Sequence, residues 1–443
     1  MAIFLPFSGH ALTSKTTRNA IQGSAPYLTF DGGRTRAVDA NGLLGITLSN
    51  GVKYTPSTNS SSYSNPIELP IAGQSFASIG MLVPTNTNSV ALNTLIGSPY
   101  NYWGDDDGDS DVTATGSLSL SIVDKNGQFV SRHSVPTICK APYRVILSST
   151  NGSLTTRYGV PNIRNFRASS VTYYVKPNTS PEICFVQPNL QYGKYESVIS
   201  DYYDFRGPAS VWNPDEGFLT QSTVPSSYNL NFPTTGAHGL YFDLKISGNN
   251  QSLYWPSVTR GGITASMTNL SNTRVRVILS GPVASESQWR SNYPGRIPKP
   301  TLPQTFELVG RDYQGNEVKY GFVLKQWFVN RGDEYSNYRY AFSWCNNIGY
   351  RLTKVKDLTN AMYNNLGAIP QSSGNNYQRR IGAGLFGEWG LMRSYGANFS
   401  GYWHWTSDFS PNNDNYVAGV FYMIGQVFFN YWTINSNTIC TSP

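Results

Sequence analysis

Apolar and polar residues alternate with a period of two through many short stretches of this chain, the pattern of half-buried β-strands. The clearest case is TATGSLSLSIVDKNGQFVSRHSV, residues 113–135. Leu118, Leu120 and Ile122 share one face, DKNG supplies a turn, and Phe129 and Val130 are expected to begin the return strand of a hairpin. Similar short strands are expected at 27–48, broken by DGG and ANG turns, and at 143–148, 171–176, 239–247 and 273–283. TFELVGRDYQGNEVKYGFVLKQWFV reads as a second hairpin, with strands at 305–310 and 318–329 about a DYQGN turn. One segment breaks the pattern. In WCNNIGYRLTKVKDL, residues 344–358, Thr353 is expected to cap a helix that carries Val355, Leu358, Met362 and Leu366 near one face and ends at Gly367.

Frequent turns and short strands imply one or two sandwich-like domains over 1–180, and a second β-sandwich over 181–300. NYPGRIPKPTLP, residues 292–303, holds four prolines, which remove backbone donors and restrict their neighbours, so a boundary is expected there. The region 301–443 alone mixes helix with sheet.

Composition agrees with a mainly β protein: 41 Gly and 30 Tyr in 443 residues, with charged residues only 13%. The formal charge is +7, but the bases are scattered. No stripe of Lys and Arg exists to neutralise a row of phosphates, so nucleic acid is excluded as a partner. The opening MAIFLPFSGHALTSKTT has no basic start and a broken apolar run, unlike a signal peptide. No run of 18 apolar residues occurs, so no helical membrane span is expected. The four cysteines, Cys139, Cys184, Cys345 and Cys440, are well separated and form no metal-binding pair with each other or with the four histidines. Two disulfides are expected. Three pairings exist, and Cys139–Cys184 with Cys345–Cys440 is the one favoured.

A Cys in a helical segment, then GYRL, a second amphipathic helix, GLFGEWG, YWHWTSD, a late apolar strand and a Cys near the end together resemble a C-type-lectin-like domain. That resemblance implies a long-range bridge from the first helix to the last strand, with Cys345 and Cys440 at the matching places. PYLTFDGGRTRAVDANGLLGITLSNG, DDDGDSDVTATGSLSLSIVDKNGQ, GPASVWNPDEGFL, NFPTTGAHGLYFDL and TFELVGRDYQGNEVKYGFVLKQWFVNRGD are similar to the extracellular C-terminal region of enterobacterial adhesins of the intimin/invasin type. The resemblance implies immunoglobulin-like β-sandwich domains followed by an α+β lectin-like tip. It also implies a place on the bacterial surface, anchored by an outer-membrane β-barrel absent from this chain. The implied function is attachment to a host or neighbouring-cell receptor, a protein rather than a glycan. A carbohydrate-binding module and a structural spacer in cell–cell adhesion are the alternatives.

The tip lacks the EPN or QPD and WND triplets that hold calcium and sugar in sugar-binding lectins, which leaves SPNNDNY with Asn412, Asn413, Asp414 and Asn415, a polar loop with a single carboxylate. Exposed Tyr and Trp make good anchors for a protein interface. The receptor-binding candidates are Tyr395, Tyr402, His404, Tyr416 and that loop. Strand alternation in YWHWTS is expected to put Trp403 and Trp405 on one face, with Tyr402 and His404 on the other. In DDDGDSD, Asp105, Asp107, Asp109 and Asp111 alternate about Gly108. A solvated acidic turn is expected, with structural calcium as the alternative; no cofactor is required. The RGD at 331–333 is expected to be a turn in which Arg and Asp interact locally. Glu388 and Asp408 imitate a glycosidase pair, but polar contacts that stabilise the fold explain them equally, and no hydrolase, P-loop or dinucleotide motif occurs. The chain is read as a binding protein, not an enzyme.

Overall fold

The computed structural model describes residues 23–108, 111–198, 200–249, 251–399 and 401–443. The N-terminal stretch 1–22 and Asp109 lie outside them. The chain divides into two units, Met1–Thr179 and Ser180–Pro443. Both are mainly β, built of open sheets, mostly antiparallel with two parallel pairings.

In the first unit a five-stranded sheet runs in the order Ile67–Glu68, Ser169–Lys176, Tyr143–Ser149, Ser117–Val123, Ser89–Ala91. Alternation places Tyr143, Val145 and Leu147 in the core with Leu118, Leu120, Ile122, Tyr173 and Val175. The hairpin expected at 113–135 closes at its turn, where the Asp124 N–H donates to the Gln128 carbonyl and the Val130 N–H to the Ile122 carbonyl, each at 2.9 Å, but no return strand extends from it. Phe129 makes a single bridge to Val123 and is largely solvent-exposed. The strand that pairs along Ser117–Val123 is Tyr143–Ser149, because only its alternation can complete the apolar face. Between them, Arg132 is buried and donates to the carbonyls of Ile79, Val83 and Pro84.

The second unit contains a seven-stranded antiparallel sheet from Trp212–Asn213 at one edge to Val258–Arg260 at the other. It includes Tyr241–Ser247 paired with Arg274–Ser280, whose Val275, Val277 and Leu279 alternate inward. The second expected hairpin forms, Gln304–Arg311 with Glu317–Leu324. Its outgoing strand ends at Leu324 rather than 329, and Gln326–Asn330 joins another sheet. That sheet has the order Thr235–Ala237, Gln326–Asn330, Ile439–Ser442, Arg351–Leu352.

The parallel pairing of Thr235–Ala237 with Gln326–Asn330 rules out a boundary near residue 300. One apolar core runs from Ile183 to Cys440. The proline-rich segment 292–303 is not a linker. Ile297 is buried, its N–H donates to the Ile348 carbonyl at 2.9 Å, and the Tyr350 hydroxyl donates to the Pro298 carbonyl at 2.8 Å. Prolines here shape a packed strap with few backbone donors to satisfy.

The helix Tyr338–Asn347 starts at Asn337, whose side chain accepts from the Tyr340 N–H. Ala341, Trp344, Cys345 and Ile348 fall on its buried face, and Gly349, at φ +89°, ends it. Cys345 is bonded to Cys440 on the last strand, with Cα atoms 5.5 Å apart and a sequence separation of 95. Cys139 and Cys184 are disulfide-bonded as well. The expected second helix stops after one turn, Val355–Leu358. Thr353 does not cap it: the Thr353 hydroxyl donates to the Trp405 carbonyl inside the core. Lys354 is the cap residue, and Asp357 accepts from its N–H at 2.7 Å. Thr359 turns extended, Asn364 and Asn365 adopt left-handed φ, and Met362 is exposed. Among the described residues no helix is long and apolar enough to cross a membrane, which says nothing of a β-barrel.

Candidate functional site

The final three-stranded sheet carries most of the expected receptor-binding residues. Trp403–Ser410 pairs antiparallel with Asn413–Phe421, which pairs with Val427–Tyr431. Trp403 lies opposite Phe421, and Ser410 opposite Asn413. The half of this hairpin near Trp403 is packed into the core, whereas Asn413, Asp414, Asn415 and Tyr416 are exposed one after another. Alternation therefore fails at the far end, because the strands there project past the core and meet water on both faces.

The expected residues fall into three groups. Asn412, Asn413, Asp414, Asn415 and Tyr416 come together at the projecting end. Tyr402 is exposed too, but at the other end of the strand Trp403–Ser410, roughly 23 Å away at ~3.3 Å per residue. Tyr395 and His404 are not on the surface, at 7% and 2% exposure. The Tyr395 hydroxyl donates to the Trp389 carbonyl and accepts from the Asn189 N–H, each at 2.7 Å, and burial pushes its pKa well above the usual range. His404 sits against the Phe386 ring, centroids 5.5 Å apart. The expected division of faces is also mixed: Trp405 and His404 are both buried, Trp403 is half-buried and Tyr402 points out.

Sequence reasoning missed the residues that complete the projecting surface. Tyr416 stands opposite Tyr431, with ring centroids 5.8 Å apart, and Tyr431 stacks on Trp432 at 6.0 Å. The Arg339 guanidinium lies 4.3 Å over the Trp432 ring. The Tyr338 N–H donates to the Trp432 carbonyl at 3.1 Å, which ties the start of the helix to this edge. Tyr338 then packs edge-on against Phe409 at 5.4 Å and beside Phe342 at 6.0 Å. Phe342, Phe409, Tyr416 and Tyr431 are each about 40% exposed, so a series of half-buried rings runs from the helix to the strands that carry the amide loop. Such rings offer large contact area with little side-chain freedom to lose, and one carboxylate, Asp414, and one arginine, Arg339, add directional contacts.

The other expected sites are used internally. Arg331 of the RGD is buried. It donates to the Trp289 carbonyl at 2.8 Å and the Ser336 hydroxyl at 3.2 Å, with its guanidinium over the Trp344 ring. The expected local Arg–Asp turn is replaced by this inward anchor, so the tripeptide is not presented as a unit. Glu388 is wholly buried and accepts from the Thr234, Thr235 and Gly382 N–H groups and from both threonine hydroxyls. Burial raises its pKa, and those donors pull it back. Asp408 accepts from the Val355 N–H at 2.7 Å, at the start of the one-turn helix, and burial raises its pKa as well. Both carboxylates are bonded to the backbone of the fold itself.

In the first unit the acidic run is split by its neighbours. Asp107 accepts from the Ser24 N–H at 2.8 Å and hydroxyl at 2.6 Å, and these bonds hold its carboxyl below the usual range. Asp105 accepts from the Asp107 N–H and lies 3.5 Å from the Ser24 hydroxyl. Asp106 pairs with Arg36 at 2.6 Å, and Asp111 faces Arg157 at 3.5 Å. Asp109 lies outside the described residues. Among those described, no group of three His, Cys, Asp or Glu side chains converges to hold a metal ion.

No protein-family model and no curated protein matches this chain. Solved structures that it resembles include the crystal structure of invasin, a bacterial integrin-binding protein, at 12% identity and TM-score 0.35 over 76% of this chain. That match spans about half, 52%, of the invasin chain. A C-terminal 282-residue fragment of intimin, solved in complex with the intimin-binding domain of the translocated intimin receptor, matches at 11% identity and TM-score 0.34, over 76% of this chain and 100% of the fragment. A Bacteroides ovatus glucan-utilisation protein, SGBP-B, in complex with a mixed-linkage heptasaccharide, matches at 12% identity and TM-score 0.15, over 50% of this chain and 64% of its own. At such scores these likenesses carry neither a partner nor an activity over to this chain.

Proposed function

We propose that this chain is the outer region of a bacterial surface adhesin and that residues 180–443 bind a protein receptor on a host or neighbouring cell. On this reading the first unit is an immunoglobulin-like module. The mixed helix-and-strand end of the second unit is a C-type-lectin-like tip, and a β-barrel outside this sequence anchors the whole to the outer membrane. The observation that carries the reading is the projecting hairpin end. Four half-buried aromatic rings lie on the helix and strands that carry an exposed Asn412–Asn415 loop, in a unit braced by the Cys345–Cys440 bridge. Amide loops flanked by rigid rings suit a protein surface, where aromatic anchors supply energy and amides supply fit.

The test is binding of the purified chain to cultured cells, with and without Tyr416→Ala and Tyr431→Ala together. Truncating two anchors at about 1–2 kcal/mol each is expected to weaken binding by roughly 30-fold or more, with the melting temperature unchanged. Equal binding by the double variant refutes the assigned surface. Loss of binding after the cells are stripped of sugars, but not after they are treated with protease, refutes a protein receptor.

A further inference from the structure

In a separate two-stranded sheet, Tyr195–Val198 pairs antiparallel with Asp201–Asp204, so that Glu196 faces Tyr203 and Val198 faces Asp201. Period-two alternation places Tyr195 and Tyr202 on one side of this hairpin, where their rings stack 5.5 Å apart. Val198, Asp201 and Tyr203 fall on the other side and line an open cleft of about 380 Å³. Tyr402, Trp403, Phe421 and Gln426 form the facing wall. Tyr402 is 61% exposed and lies nearly parallel to Phe421, with centroids 6.2 Å apart. Trp403 is held by contacts with Phe421 at 4.6 Å and Phe428 at 3.7 Å. The Asp201 carboxylate sits against the Tyr203 hydroxyl at the rim.

We propose that this cleft binds a neutral hexopyranose ring. Its volume lies near the small end of ligand pockets, ~300–1,000 Å³, which suits one or two sugar rings. The aromatic walls are firm platforms for the C–H face of a pyranose. The Asp201 carboxylate and Gln426 amide at the edge match the hydroxyls around its rim. A purely apolar ligand would strand those two groups away from water, whereas a polyol satisfies both. An acidic sugar would bring a second carboxylate up to Asp201 and be repelled. With one carboxylate in the lining there is no cage for a hard cation, so binding does not need calcium. The cleft is remote from Tyr416 and Tyr431, and the proposal stands or falls independently of the protein-receptor reading.

The test is saturation-transfer NMR on the full 443-residue chain with methyl β-D-glucopyranoside, methyl β-D-galactopyranoside and N-acetylglucosamine as probes. At about 10 mM, a sugar with a Kd of ~1 mM would fill roughly nine-tenths of the sites. Transfer to the protons of one ring face is expected for at least one probe. It should persist with a chelator present and be missing for N-acetylneuraminic acid. Tyr402→Ala is expected to weaken binding about tenfold or more, and Tyr416→Ala to leave it unchanged. Asp201→Asn, at an exposed position, is expected to weaken it with the circular dichroism spectrum intact, and decides the matter if the tyrosine variant misfolds. No transfer from any neutral probe overturns the proposal, as does transfer that survives Asp201→Asn undiminished or vanishes with the chelator.

Discussion

Removal of the Glu388 side chain is the sharpest structural test, because its carboxylate joins residues on both sides of the proline-rich strap. Thr234 and Thr235 precede the strap, and Gly382 follows it. In Glu388→Ala, three backbone N–H groups lose their acceptor at a site with no exposure to water. Each orphaned buried donor costs roughly 1–3 kcal/mol, and a trapped water recovers part of that, so a total of about 3–6 kcal/mol is expected. Against a typical domain stability of about 5–15 kcal/mol this is severe. Glu388→Gln keeps one acceptor oxygen but turns an NH₂ toward at least one of the donors, for an expected loss of about 1–3 kcal/mol. The assay is urea unfolding followed by tryptophan fluorescence. Trp103 is the only tryptophan in the first unit, and the other nine lie in residues 180–443. In a Trp103→Phe background the signal therefore reports the second unit alone. A single transition is expected, shifted in the order wild type, Gln, Ala. A Glu388→Ala loss under about 1 kcal/mol refutes the bonding argument. Two separate transitions, with only the later one moved, refute the single shared core.

Further outcomes are expected. Replacing Cys345 and Cys440 together by Ser reopens a loop of 95 residues and should cost up to about 4.7 kcal/mol on the chain-entropy model, or roughly 10–20 °C in calorimetry for a unit of about 250 residues; an unchanged melting temperature contradicts this. Asp357, buried, accepts from Arg351, Gln326 and the Lys354 N–H, so Asp357→Ala should cost about 2–4 kcal/mol in the same urea assay, and a neutral result removes it as the organiser of the one-turn helix. Burial raises the Glu388 and Asp408 pKa values, so the folded unit holds protons that the unfolded chain gives up. Their contribution is complete below the ordinary carboxylate range and fades as pH rises through the elevated folded values. Melting scans should show the second unit gaining stability as pH falls from 7 toward about 4.5, with a flatter profile in Glu388→Gln, Asp408→Asn; identical profiles in wild type and variant contradict the assignment.

How far the sequence could be read depended on whether a local pattern was also the pattern of the final partner. The strand Arg274–Ser280 and the hairpin Gln304–Arg311/Glu317–Leu324 were legible because alternation and turn chemistry act over a few residues. The helix bearing Cys345 was legible through the sequence that carries the resemblance. The return at Phe129 has the right turn and a single bridge but goes no further, because the neighbour that pairs along Leu118, Leu120 and Ile122 comes from Tyr143–Ser149. A helical spacing of Val355, Leu358, Met362 and Leu366 did not make a long helix, because Thr353, Asp357 and Asn360 direct their side chains to tertiary partners instead. Prolines at 292–303 resembled a linker because composition cannot report that Ile297 and Pro298 dock on Ile348 and Tyr350. At the candidate site, Asn412–Asn415 was readable as an exposed loop. Tyr395 and His404 were not readable as core, since their partners Asn189, Trp389 and Phe386 are distant or irregular in sequence. Phe342, Phe409, Tyr431 and Arg339 joined the surface only through folding, and no spacing in the chain connects them.

The central claim, that the projecting hairpin end contacts a receptor protein, is tested most directly by photo-cross-linking. Benzoylphenylalanine replaces Tyr416 in one sample and Tyr158, an exposed tyrosine of the first unit, in another, and each is applied to living cells and irradiated. The account predicts a discrete cross-linked membrane protein from position 416 and none from 158. Equal cross-linking from both positions, or none from 416 while the chain still adheres, contradicts it.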